Sequence, residues 1–223
     1  VMMAPFAVSV AFFLRSKETL RQVGWRLRSA KYIAVSLVLP MLLVGLIVLA
    51  GYGAGLLSFN AEHPLTRMPT DHLGLNLLLC VPGMFIPWLV LSPPSLLAGW
   101  LGHLGEEVAW RGYLFRKTSL RSGVTKGLIV SALVWWAWHL PLARLSPVLR
   151  ALKVWQLALV MGLSLPALLG TSAMYAWIYM KSRTIWAPTM AHLFWNLLRG
   201  ALTGRLADGG AGLFRGPLWI ING

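Results

Sequence analysis

Residues 96–115 read LLAGWLGHLGEEVAWRGYLF. Apolar side chains recur through this stretch without a Pro, which predicts a helix over 95–116. The helix then carries Glu106 and Glu107 side by side, although the whole chain has only six acidic residues. In a lipid setting a single such charge at a helix centre costs roughly 2.5–3.5 kcal/mol, and two neighbours also repel each other. Arg111 follows Glu107 at i+4, the spacing that brings two side chains together on one helix face. Glu106 points about 100° away around the same helix. The pair can therefore divide labour, with Glu107 held by Arg111 and Glu106 left facing a cavity. The plainer alternative is a helix end dipping into the head-group region with its charges solvated.

The rest of the chain supports a lipid setting. Of 223 residues, 57% are hydrophobic and 12% charged, with a mean hydropathy of +0.69. A soluble domain carries about a quarter charged residues. The expected fold class is all-α, a polytopic transmembrane bundle of about six to eight helices. Apolar segments are expected at 1–14 (short for a span), 32–58, 73–91, 127–142, 153–180 and 187–203. The segment 153–180 is either one long span or two pieces broken near Pro166 and Gly170. Residues 1–94 form an N-terminal set of spans with a basic connection at 15–31. Residues 95–203 form the helix core and 204–223 a Gly-rich tail, all within one domain. Residues 1–14 lack the basic n-region and cleavage site of a signal peptide. Cys80 is the only cysteine, which excludes a disulfide within the chain and a Cys-rich metal site.

The net charge of +14 falls mostly between apolar runs, where topology and anionic lipid head groups account for it. No nucleic-acid motif accompanies it. The stretch 15–31 holds six Lys/Arg and 59–72 holds one, which places the first on the cytoplasmic side. The expected loops 116–126 and 143–153 hold four and three, and simple alternation puts these on opposite faces, so the charge signal conflicts there.

Two further helices bring polar groups. His139 follows the aromatic run Trp135-Trp136-Ala137-Trp138 and precedes Leu140-Pro141. His192 and Asn196 share one face of the helix 187–203 at i and i+4, with Pro188 in its first turn. Each alone has an ordinary structural explanation, an interfacial histidine or interhelical hydrogen bonding.

Together the three constellations are more specific. Glu106-Glu107-x-x-x-Arg111, then Trp135-x-x-x-His139, then His192-x-x-x-Asn196 resemble the motifs of the CAAX-processing and bacteriocin-processing (CPBP, also called ABI) intramembrane proteases. The resemblance covers roughly residues 95–200. Trp135 stands where the second motif often has Phe, a departure that keeps an aromatic and is expected to matter little. The resemblance implies that Glu106 activates water, assisted by His139. It implies that His192 and Asn196 polarise the scissile carbonyl, and that Glu107 and Arg111 position the site. The family is commonly labelled metalloprotease, and Glu106, His139 and His192 are side chains that can ligate zinc. No His-Glu-x-x-His helix is present, however, and a metal-free glutamate mechanism is an equal expectation. His103, four residues before Glu107, could be a third ligand but is read as interfacial. A Ser-His-Asp site is disfavoured, because the only aspartates, Asp71 and Asp208, lie outside the motif helices.

The expected function is hydrolysis of a peptide bond in a membrane-associated or prenylated substrate, by a multi-pass protein of a prokaryotic cell membrane. The expected partners are the lipid bilayer and that peptide, not nucleic acid. The alternatives are a non-catalytic scaffold or bacteriocin-immunity protein, and a proton or ion transporter using Glu106 and His139 as a relay. A transporter more often shows inverted repeats with broken helices in both halves, and no such pairing is visible in the sequence.

Overall fold

The structure, a computed structural model, describes residues 4–16, 20–26, 30–55, 57–59, 93–145, 147–203 and 206–208. Helix α1 is Ala4–Ser16, a 3₁₀ turn spans Leu20–Val23, and α2 is Ala30–Gly53. A long rod begins with α3 (Pro93–Glu107), continues through a π-helical stretch (Val108–Phe115) and ends as α4 (Arg116–Ser122). Then come α5 (Val124–Ala143), the short α6 (Pro147–Arg150), α7 (Val154–Ser182) and α8 (Trp186–Thr203). The segment 73–91, expected as a further span, and the polar stretch at 60–72 lie outside the described residues.

The described residues are all-α in class, with β1 (Leu57–Phe59) and β2 (Leu206–Asp208) adding only a minimal antiparallel ladder. One expectation is corrected. The basic stretch 116–126 is not a loop: Arg116 to Ser122 extends the rod, and the chain reverses at Gly123. Of the two readings left open for 153–180, the unbroken one holds: Pro166 and Gly170 do not break α7, which runs for 29 residues. A proline inside a helix removes one hydrogen bond and crowds the preceding turn. Pro166 lies on the exposed side of α7, one turn after Gly162 on the same face, and Gly162 is itself exposed and without neighbours, so there is room for the ring.

Among the described residues, α2 and α7 are long and apolar enough to cross a membrane. At 1.5 Å per residue the 24 residues of α2 extend ~36 Å, against ~30 Å of hydrocarbon. Much of α2's apolar surface turns outward, including Leu42, Leu46 and Ile47, each more than half exposed. That pattern costs little when lipid is the surrounding solvent.

Two glycines bring the Glu106–Glu107 rod against α5. Gly123 adopts φ +87°, a left-handed value that only glycine takes without strain, and its N–H caps Ser119 O at 3.0 Å. One turn on, a Cβ at Gly127 would collide with Ser119 Oγ and lie 2.9 Å from its backbone N, so α5 closes on α4 only because Gly127 has no side chain. The result is a tight helical hairpin that lays α5 along the π stretch. Helix α8 packs against α2, α3 and α7, and α7 also meets α5 and the π stretch. The buried cluster at this convergence contains Trp110, Trp135, Leu168, Tyr175, Ile178 and Ala191.

Candidate active site

The described helices bring Glu106, Glu107, Arg111, His139 and His192 into the interior, each at most 4% exposed. The two glutamates have separate sets of partners. Glu107 Oε1 accepts hydrogen bonds from Arg111 (Nη1, 2.8 Å) and lies 2.8 Å from His192 Nδ1. Glu106 Oε2 accepts from two indoles, Trp135 Nε1 at 3.0 Å and Trp110 Nε1 at 3.4 Å. The π stretch supplies both i+4 partners, Trp110 for Glu106 and Arg111 for Glu107. Such stretches are rare and lie frequently at functional sites.

Arg111 is held through both Nη groups and against two aromatic rings. Its guanidinium lies 4.4 Å from the Trp135 ring centre and 4.9 Å from that of Tyr175, and its Nη2 donates to Ser172 Oγ at 3.3 Å. A cation on an aromatic face gains about 0.5–2 kcal/mol, more when water is excluded. His192 stacks on Tyr175 with ring centres 5.0 Å apart and meets Trp135 edge-on at 5.3 Å. The imidazole therefore has little freedom to turn away from Glu107.

His139 sits on α5 one turn beyond Trp135. Its Nδ1 donates to Trp135 O at 2.7 Å, and its ring meets the Trp135 ring edge-on at 5.7 Å. With Nδ1 committed to a carbonyl, Nε2 carries the lone pair. His139 is thus joined to Glu106 through Trp135. Asn196 lies one turn beyond His192 on α8, and its Nδ2 meets His103 Nε2 at 2.7 Å.

His103 requires a correction. It is not interfacial but 5% exposed, and it packs edge-on against His192 with ring centres 4.5 Å apart. The available signal was its spacing: His103, Glu107 and Arg111 recur every four residues and so share one face. Ser172 and Tyr175 were not singled out by sequence reasoning. They are polar groups three apart within the apolar α7, and an intramembrane polar residue asks for a partner.

Trp135 also departs from its expectation. Its indole N–H holds Glu106, and a phenylalanine has no such donor. Trp135→Phe is expected to keep the fold and lower any Glu106-dependent turnover roughly tenfold, since removing one partner of a buried hydrogen bond costs about 1–3 kcal/mol. Parallel assays of turnover and thermal unfolding in detergent check this, and unchanged turnover would make the indole a packing group only.

Zinc does not fit the side chains as arranged. Among the described residues no three His, Cys, Asp or Glu side chains are grouped to hold a metal ion. Glu106 faces indoles, His192 Nδ1 faces Glu107, and His139 Nδ1 faces its own helix backbone.

Residues 92–198 match the family described as Type II CAAX prenyl endopeptidase Rce1-like. That segment belongs to the Rce1-like family. No curated protein and no solved structure matches the chain. The Rce1-like match spans α3 to most of α8, and so covers every residue of the constellation just described. The Rce1-like family is one of CAAX-type peptide hydrolases of membranes, consistent with the two apolar helices.

Proposed function

We propose that this chain is an intramembrane endopeptidase in which Glu106 activates a water molecule against a peptide carbonyl. The protein is a multi-pass helix bundle of a prokaryotic cell membrane. Its substrate is a membrane-associated or prenylated peptide. The observation that carries the reading is the unequal treatment of two adjacent carboxylates. Glu107 is committed to Arg111 and His192, whereas both indole donors of Glu106 reach the same oxygen, Oε2, and neither occupies Oε1.

A general base must be close to the water it deprotonates and must not be neutralised by a fixed cation. Glu106 meets the second condition, because Arg111 is taken by Glu107. In the proposed reaction Glu106 takes one proton as the water oxygen bonds to the carbonyl carbon. Asn196 donates to the carbonyl oxygen as charge develops there, and His192 does so from Nε2 as an imidazolium whose Nδ1–H is accepted by Glu107 Oε1. Glu106 then returns the proton to the amine nitrogen as the C–N bond breaks, leaving a new carboxylic acid and a free amine. His139, with its Nε2 lone pair, assists the proton transfers.

The test is incubation of the purified protein in detergent or vesicles with membrane-associated peptides, some carrying a prenylated C-terminal cysteine, with cut positions read by mass spectrometry. Cleavage near the lipidated end, with and without chelator, is the expected result. Binding of the peptides without cleavage would instead favour the scaffold role, and chelator-sensitive cleavage would overturn the metal-free route.

A further inference from the structure

We infer that His103 is a positioning residue for Asn196, setting which amide hydrogen that side chain presents to the substrate carbonyl. The inference rests on the proposed hydrolytic role of Asn196. It starts from a two-rung ladder between α3 and α8. Glu107 pairs with His192, and one turn away His103 pairs with Asn196. The rungs advance along α3 while they retreat along α8, as antiparallel helices require. His-x-x-x-Glu on one helix therefore meets His-x-x-x-Asn on the other, residue for residue.

The hydrogen bonds fix the direction of the outer rung. His103 Nδ1 lies 2.5 Å from Gly99 O, and a carbonyl only accepts, so Nδ1 carries the hydrogen. In the neutral ring, Nε2 is then an acceptor. Asn196 Nδ2, 2.7 Å away, donates to it. This choice settles the orientation of the amide: one N–H is spent on His103, and the other is held at a fixed angle for a developing oxyanion. Asn196 Oδ1 is buried with no hydrogen-bond partner among the described residues, so nothing else on the amide opposes a flip. The edge-on contact with His192 at 4.5 Å ties the two carbonyl-polarising side chains to the same ring. An oxyanion donor works only when it is aimed before the charge develops. Loss of His103 should therefore appear in kcat more than in KM.

The experiment compares wild type, His103→Leu, His103→Gln, Asn196→Ala and the His103→Leu/Asn196→Ala double variant on one cleaved peptide. His103→Leu is expected to lower kcat roughly tenfold to a hundredfold with KM within about twofold. His103→Gln should recover most of the loss, because its side-chain carbonyl accepts from the same amide. The double variant should be no slower than Asn196→Ala alone, since the two changes act through one group. Unchanged kcat in His103→Leu, or independent losses in the double variant, would overturn the inference while leaving the hydrolytic reading intact. A readout independent of cleavage is the ¹⁵N spectrum of histidine-labelled protein, with the His103 signals assigned by their loss in His103→Gln. The expected spectrum shows the Nδ1–H tautomer, with an Nε2 resonance that shifts in Asn196→Ala. If wild type cleaves nothing, the hydrolytic reading fails but this spectrum still decides the hydrogen bond, and an Nε2–H tautomer would refute it.

Discussion

Glu106→Gln is expected to abolish peptide cleavage, by roughly 10²–10⁴-fold as for loss of a general base, while the protein unfolds at nearly the wild-type temperature. The fold is spared because Glu106 has no cationic partner to orphan. Its contacts are the two indole N–H groups, and a glutamine carbonyl accepts from both. Glu107→Gln should behave in the opposite sense. It removes the anion between Arg111 and His192, so a buried guanidinium loses its counter-charge and stability falls. The measurement is paired: kcat on a cleaved peptide, and the thermal midpoint in the same detergent. An inactive, stable Glu107→Gln beside an active Glu106→Gln would reverse the assignment. The contrast is informative because the two residues are adjacent and chemically identical. Only their position around the helix, and hence their partners, distinguishes them.

That division was legible in the sequence, and the reason is local. Arg111 stands at i+4 from Glu107, and helix geometry alone brings the two together before any other helix is considered. The inward placement of His139 and His192 was legible for a different reason: polar groups in apolar helices must find partners within the bundle. What escaped depended on contacts between helices. The indole of Trp135 reaches Glu106 across 29 residues of sequence, and His103 meets Asn196 across 93. No pattern within either helix reports such a meeting. Tyr175 and Ser172 belong to the same class, since their roles are set by where α7 crosses the π stretch. Helix boundaries failed where charge was taken to mean loop. Arg116, Lys117 and Arg121 lie on a helix that outlasts the apolar run, and the break came from Gly123 instead. Long basic side chains can extend from a helix end toward water or lipid head groups, so a basic stretch need not be a turn.

Arg111→Met is expected to destabilise the protein more than any other single change at the site. The Arg111 and Glu107 side chains are 1% and 0% exposed, so no solvent replaces a lost partner. Breaking a buried pair from one side costs about 3–5 kcal/mol, and in a domain of this size that corresponds to a fall of roughly 6–20 °C in the thermal midpoint. Arg111→Lys should fall between wild type and Arg111→Met. An ammonium keeps the charge but lacks the planar fork that reaches Glu107 and Ser172 together while lying on Trp135 and Tyr175. The Glu107→Gln/Arg111→Met double variant separates two explanations. Removing both charges removes the orphaned carboxylate, so the double variant should recover much of the midpoint lost by Arg111→Met. If it is as unstable as the single variant, the stabilisation resides in the aromatic cage around the guanidinium rather than in the ion pair. Glu107 would then be held in place chiefly by His192, on the opposite helix, and Glu107→Gln would weaken the contact between α3 and α8 more than the π stretch that carries Arg111.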